Sequence, residues 1–553
     1  MRTQKTAVRV ICTILALLLA LGLPKPVQAG VIYTVTNSAS SGAGSLRQAI
    51  LDANSNAGKD FIHFAIPTSD PGYSTPLGVW FIRLTLVLPM LEDPAGVVID
   101  GTTQPGSHPN LPGIIVEHTA SVPSGAALLT IISHYNIVME LGFFNSRGPS
   151  IIIEGDKNAI LNNQIFTSTG YGVSLLSGSE ENDVDGNMIC GHALDGIHLD
   201  GADHNVIDNN LIGLQPAYIP TVGRNQGNGI GAVGSDNNTF QGNFVSNNAE
   251  NGLLLSGSDS NQILENTIGL DTERSLDLGN DGHGLLLSDS SGNLVAHNWM
   301  SGNGKDGLRI TGSLSTGNLV QQNGFGTALS VPIPNTQHGI ALYNGAHHNT
   351  IGSSSDAELY NMVYGNGWSG IVVVNSLLGT NTIGNNYIFN QGFYGIHINN
   401  SPNNAIIANT VAGNGALGES AGVRVENSSG TGDASDTNLI WSNQIFNNYG
   451  KGIQLVGDAN NYILRPVILS ASCSLVTGTA CPGCWVQVFS DLYDEGRYYE
   501  GLATADGSGH FALSIQAVSH NITAVAIDGP GNSSEFSLPY SACFRLALPI
   551  LVK

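Results

Sequence analysis

The sequence predicts an all-β solenoid of short strands stacked coil upon coil, and three observations predict it. Asn residues five positions apart return in pairs along the middle of the chain, and a Gly-apolar-x-apolar strand follows each pair. The third observation is composition: of 553 residues, 70 are Gly and 22 Pro, too many for a helix-dominated protein, and no strict Gly-X-Y period points to collagen. Hydrophobic residues at 41% and charged residues at 11% exclude a disordered chain. A formal net charge of −23 excludes a surface suited to nucleic acid or anionic membranes.

In chain order, residues 1–29 read as a secretory signal: Arg2, Lys5 and Arg9 precede an apolar run from Val10 to Leu23, and Val27-Gln28-Ala29 offers small residues for cleavage. Pro24 and Pro26 speak against the alternative, an uncleaved anchor, and no later stretch is long enough to span a membrane. Residues 30–125 read as an N-terminal cap and first coils, in which Ser45 to Asn54 forms an amphipathic helix with Leu46, Ala49, Ile50 and Ala53 on one face. Such a helix covers apolar groups and strand edges at the open end of a solenoid.

Residues 126–465 carry the repeat, clear at Asn158/Asn163, Asn182/Asn187, Asn205/Asn210 and later pairs. Strands such as Gly196-Ile-His-Leu199 and Gly307-Leu-Arg-Ile310 alternate with period two, so one side faces inward. The shortest repeats, 23 or 24 residues, suit one coil of a parallel β-helix with coils about 4.8 Å apart. Stacked Asn side chains then bond to turn backbone and to each other, a structural role. A leucine-rich horseshoe lacks support because its Leu-x-x-Leu-x-Leu spacing is absent.

From 466 to 540 the Asn pairs stop and antiparallel strands are expected, among them Trp485-Val-Gln-Val-Phe489 and Ile522-Thr-Ala-Val-Ala526; residues 541–553 form an apolar tail. Cys473, Cys481, Cys484 and Cys543 gather here and are expected to form disulfides, since the second pair of a zinc knuckle is missing. Cys190, isolated among the repeats, is expected to be a buried free thiol.

The repeats resemble those of bacterial right-handed parallel β-helix proteins of the pectin-lyase-like fold, carbohydrate-binding and sugar-hydrolase type. The segment Gly44-Ser45-Leu46-Arg47-Gln48-Ala49-Ile50 and the later Ile99-Asp100-Gly101-Thr102-Thr103-Gln104-Pro105-Gly106 are similar to the entry segment of large secreted members. Residues 466–540 resemble bacterial immunoglobulin-like modules, including the closing Gly531-Asn532-Ser533-Ser534-Glu535-Phe536-Ser537. The resemblance implies a right-handed β-helix with an N-terminal cap and a small C-terminal β-sandwich; it does not fix a reaction, because such solenoids serve as lyases, hydrolases, binding scaffolds and adhesins.

Chemistry is expected where coil length varies. From the second Asn to the strand Gly the spacing is nine in most coils but 19 at Asn210/Gly229, 18 at Asn266/Gly284, 16 at Asn323/Gly339 and 13 at Asn409/Gly422. The expectation is that all insertions lie at one corner and rim one face, with a cleft between the Leu270–His283 and Gly326–His338 loops. The residue before the strand Gly reads His283, Asp306, His338 in consecutive coils, with Arg309 beside them, a candidate catalytic set or a zinc site. A turn position that merely favours polar residues accounts for the same column. Asp195 and Asp200 are candidate calcium ligands, against a solvated acidic face as the alternative. Outward strand positions His198, Arg309, His397 and Arg424 are candidate sugar-binding residues. The leading expectation is an exported or cell-surface protein that binds extended polysaccharide along the looped face. The alternatives are a polysaccharide lyase or glycoside hydrolase and an adhesin or structural surface protein.

Overall fold

The computed structural model describes residues 30–542 apart from 107, 109, 215–222, 329, 330, 419 and 431–433. The expected signal segment, Cys543 and nearly all of the apolar tail therefore lie outside the described residues.

From Val97 onwards each coil carries three short strands, as in Ala159–Leu161, Gln164–Ser168 and Val173–Leu175. Stacking these strands produces three long sheets, called I, II and III in the order met along a coil, with 15, 15 and 13 strands. Pairing between coils is parallel and in register, so Ile160 lies beside Val184 and Val173 beside Ile197. Period-two alternation decides the core: Ile197 and Leu199 are fully buried while His198 between them points outward. The architecture is a parallel β-helix.

Corners are fixed by the Asn residues. Asn163 N–H donates to Asn187 Oδ1 at 2.9 Å and Asn187 N–H to Asn210 Oδ1 at 2.9 Å, while Asn187 Nδ2 donates to Ile160 O at 2.7 Å. A fully buried amide is thus satisfied coil after coil. The residue before the second Asn takes a left-handed turn, with φ of 53° at Asn162 and at Asn209, which small polar side chains tolerate. A further ladder, which the pair pattern does not reveal, runs at the sheet II to III corner from Asn225 through Asn248, Asn280 and Asn303.

Both ends are covered. The helix Leu46–Ser55, N-capped by Ser45 whose Oγ accepts from Gln48 N–H, buries Leu46, Ala49, Ile50 and Ala53 against the solenoid core. After the last coil come antiparallel sheets of three and four strands with a core of their own. Phe489 and Phe536 reach from them into the solenoid core, and Ile445 bridges Gly496. Cys481 and Cys484 are bridged, and Cys473 is disulfide-bonded as well. Cys190 is a buried free thiol, pushed up to about 12 by burial.

The placement of insertions differs from the expectation. The four predicted ones do lie between sheets II and III, but the Ser353–Tyr360 segment lies between sheets I and II, and the stretch after Glu426 lies between sheets III and I. Counting only from Asn to Gly misses both, because that interval samples a single corner.

Candidate functional site

The outer face of sheet III carries the predicted side chains. The column before each strand Gly is a hydrogen-bonded ladder: Asn228 N–H donates to Asp195 Oδ1, His283 N–H to Asn251 Oδ1, Asp306 N–H to His283 Nδ1, His338 N–H to Asp306 Oδ1 and Ser369 N–H to His338 Nδ1. Each side chain offers an acceptor to the amide of the next coil, which explains why polar residues stand there.

Within this ladder Asp306 is fully buried, with Oδ2 3.2 Å from His283 Nδ1 and 3.0 Å from Arg309 Nε. The Arg309 Nε–H does not aim at that oxygen, so the contact is one of charge rather than a well-formed hydrogen bond. Burial alone would raise the Asp306 pKa, but the His283 contact and the surrounding positive charge outweigh it, holding the carboxyl below its usual range. Burial pulls His338 down to about 4, so at neutral pH it is uncharged and Arg309 is the lasting counter-charge. Since His338 Nδ1 accepts from an amide, its proton sits on Nε2, 3.5 Å from the Tyr343 hydroxyl. The Arg309 guanidinium lies 4.4 Å over the Tyr343 ring, and Trp368 stands edge-on to His338 at 5.2 Å.

A second set lies further along the same sheet, on its strand residues. Arg424 Nε donates to Glu426 Oε2 at 2.9 Å, and His397 Nε2 is 3.2 Å from the same oxygen. These contacts, the His397 hydrogen bond foremost, hold Glu426 down at about 2 against its burial. Arg424 also lies 5.2 Å over the Tyr394 ring. Towards the N-terminus, His198 stacks on Tyr171 with ring centres 4.2 Å apart and binds Asp195 Oδ2 at 2.9 Å.

Three expectations need correction. Asp195 and Asp200 are not a ligand pair: both Asp195 oxygens are engaged, by Asn228 and His198, while Asp200 is exposed at the far end of its strand. Nor do His283, Asp306 and His338 converge on a zinc position: among the described residues no three His, Cys, Asp or Glu side chains gather closely enough to hold a metal. The expected cleft between the two loops is also closed at its corner. Leu270 from one loop and Ala328 and Ile333 from the other bury together beside Trp299, since apolar side chains facing across a short coil gain more by meeting than by lining water.

Sequence reasoning missed Tyr343, Trp368, Tyr394 and Glu426. Tyr343 and Glu426 lie two residues beyond strand centres, so the period-two rule applied one step further would have placed Glu426 beside Arg424.

Comparison with known proteins agrees with this architecture. Residues 194–356 match the model of the right handed beta helix region, and residues 112–219 match that of the periplasmic copper-binding protein NosD. The chain is a right-handed parallel β-helix protein. No curated protein matches it. Among solved structures it is similar to the Dettilon tailspike protein gp208, with 14% identity over 89% of this chain and 90% of that one at a TM-score of 0.43. It is also similar to the A-module of the Azotobacter vinelandii mannuronan C-5 epimerase AlgE6, with 12% identity over 77% and 98% at 0.36. The catalytic domain of a GH87 alpha-1,3-glucanase follows at 13% identity over 66% of each chain and 0.26. None of these likenesses bears on what the chain does.

Proposed function

We propose that this is an exported protein that binds an extended acidic polysaccharide along the outer face of sheet III. The observation that carries the reading is a repeated device: Arg309 and Arg424 each sit over a tyrosine ring, each against a carboxylate, on the same outward column. They are four strands apart in the sheet, a separation of ~19 Å at the usual coil spacing. The partly exposed Arg309 guanidinium suits a carboxylate of a uronate chain, Arg424 lies largely buried on Glu426 and Gln454 and would exchange one of them for such a carboxylate, and the rings beside them suit the apolar faces of the sugars. Export is supported by the sequence of residues 1–29, by the disulfide between Cys481 and Cys484, and by the periplasmic location in the name of the NosD family.

Binding fits the geometry better than bond cleavage. Asp306 is buried and charged and His338 is a weak base at about 4, so neither is tuned to exchange a proton near neutral pH. Calorimetric titration with polygalacturonate and with alginate tests the proposal. Saturable binding to at least one polymer, weakened roughly tenfold by Arg309→Ala and by Arg424→Ala, is expected. Equal binding by both variants, or no binding to either polymer, overturns it.

A further inference from the structure

A cavity of about 660 Å³ lies away from this face, on the outer side of sheet II. It falls within the roughly 300–1,000 Å³ range of small-molecule sites. Its floor and walls come from Trp299, Gly324, Met362 and Tyr364 of the sheet and from Glu358 and Tyr360 of the Ser353–Tyr360 insertion. The exposed turn side chains His297 and Gln322 stand at its rim.

Several independent features build this cavity. The long turn between sheets I and II, which in the other coils from Ile137 onwards spans only two residues such as Gly-Asn or Asn-Asn, occurs at this coil and supplies one wall. At Gly324 a Cβ would come within 2.9 Å of Trp299 Cε3, so the glycine lets the indole lie across the neighbouring coil. The aromatic groups are also held in place before any ligand arrives. Arg274 stands 5.5 Å over the indole while its Nε donates to Thr267 Oγ1 on the preceding coil. The Tyr364 hydroxyl accepts from Asn390 Nδ2 at 2.9 Å, and Tyr360 packs edge-on to Tyr387 at 4.8 Å.

We infer that this cavity is a second saccharide site, separate from the sheet III face, and that it takes a neutral pyranose unit. Three fixed aromatic rings offer apolar surface to the C–H face of a sugar ring. Glu358, Gln322 and His297 supply acceptors and donors at the rim for its hydroxyls. Among the described residues neither Lys nor Arg lines the cavity, and Glu358, the one carboxylate among them, would repel an acid sugar. The two faces thus differ in charge preference, and one chain would hold two kinds of glycan.

The test is calorimetric titration of the full chain with four neutral tetrasaccharides, cellotetraose, maltotetraose, mannotetraose and xylotetraose, and with tetragalacturonate. Saturable binding of at least one neutral probe is expected. Tyr360→Ala and Glu358→Gln, both on the exposed insertion where the fold is not at stake, should each weaken it roughly tenfold. Arg309→Ala and Arg424→Ala should leave that binding unchanged. Binding of none of the four neutral probes overturns the inference, as does neutral binding that survives both insertion variants or is lost with Arg309→Ala. Because tetragalacturonate reports on the sheet III face, failure here and failure there are read separately.

Discussion

Glu495 closes the ladder of the sheet II to III corner at the C-terminal end of the solenoid. It is 2% exposed, and its two carboxyl oxygens accept from Asn448 N–H at 3.1 Å and Asn448 Nδ2 at 3.0 Å. Burial raises its pKa from 4.5 to about 7, outweighing the Asn448 hydrogen bonds, with Asp491 and Asp494 adding to the rise. An acid that keeps its proton more tightly when folded favours folding most below the unfolded pKa. That contribution therefore declines as pH rises from 4.5 to about 7 and is gone above it, a change of about 3 kcal/mol. Glu495→Gln removes the charge. The amide can still serve the ladder, because Gln391, further back in the same column, accepts from both Asn366 N–H and Asn366 Nδ2 through Oε1 alone. Buried His118, His192 and His338, each lowered to about 4 by desolvation, act in the opposite sense: their contribution is complete above 6.5 and lost as pH falls towards 4. Urea-unfolding midpoints of wild type and variant at pH 5, 6, 7 and 8 cancel that shared background. The variant should gain on wild type from pH 5 to 7, by about 2 kcal/mol, and only slightly more by pH 8. A difference that is constant with pH, or that shrinks as pH rises, refutes the reasoning.

The remaining predictions concern the solenoid itself. Ile197→Asn places an unmatched amide among fully buried side chains and should cost about 2 to 4 kcal/mol in chemical denaturation. Asn187→Ala removes side-chain bonds to Ile160 O and Asn210 Oδ1 and should cost less in its own contacts, about 1 kcal/mol, with the buried Asn163 N–H, left without its acceptor, adding to it. Cys190, buried and raised to about 12, should resist iodoacetamide at pH 8 in the native protein and react on unfolding, as followed by intact mass.

The sequence by itself determined the coil. Asn pairs five apart and Gly-apolar-x-apolar strands set the period, and a period-two strand has only one way to put Ile197 and Leu199 inside and His198 outside. The capping helix was equally legible, because Ser45 to Asn54 carries both its N-cap and its buried face within one local stretch. What only the tertiary structure decided depends on side chains from different coils. Asp306 was visible as a polar turn residue with Arg309 three positions on, but its pairing with His283 arises from stacking two coils whose relative tilt and rotamers no local pattern encodes. The collapse of Leu270 onto Ile333 likewise depends on how far two long loops reach across a short coil, and the cavity beside Trp299 on where the Ser353–Tyr360 insertion meets sheet II. Periodicity fixes which way a side chain points; what it meets there depends on packing over distances much longer than the repeat.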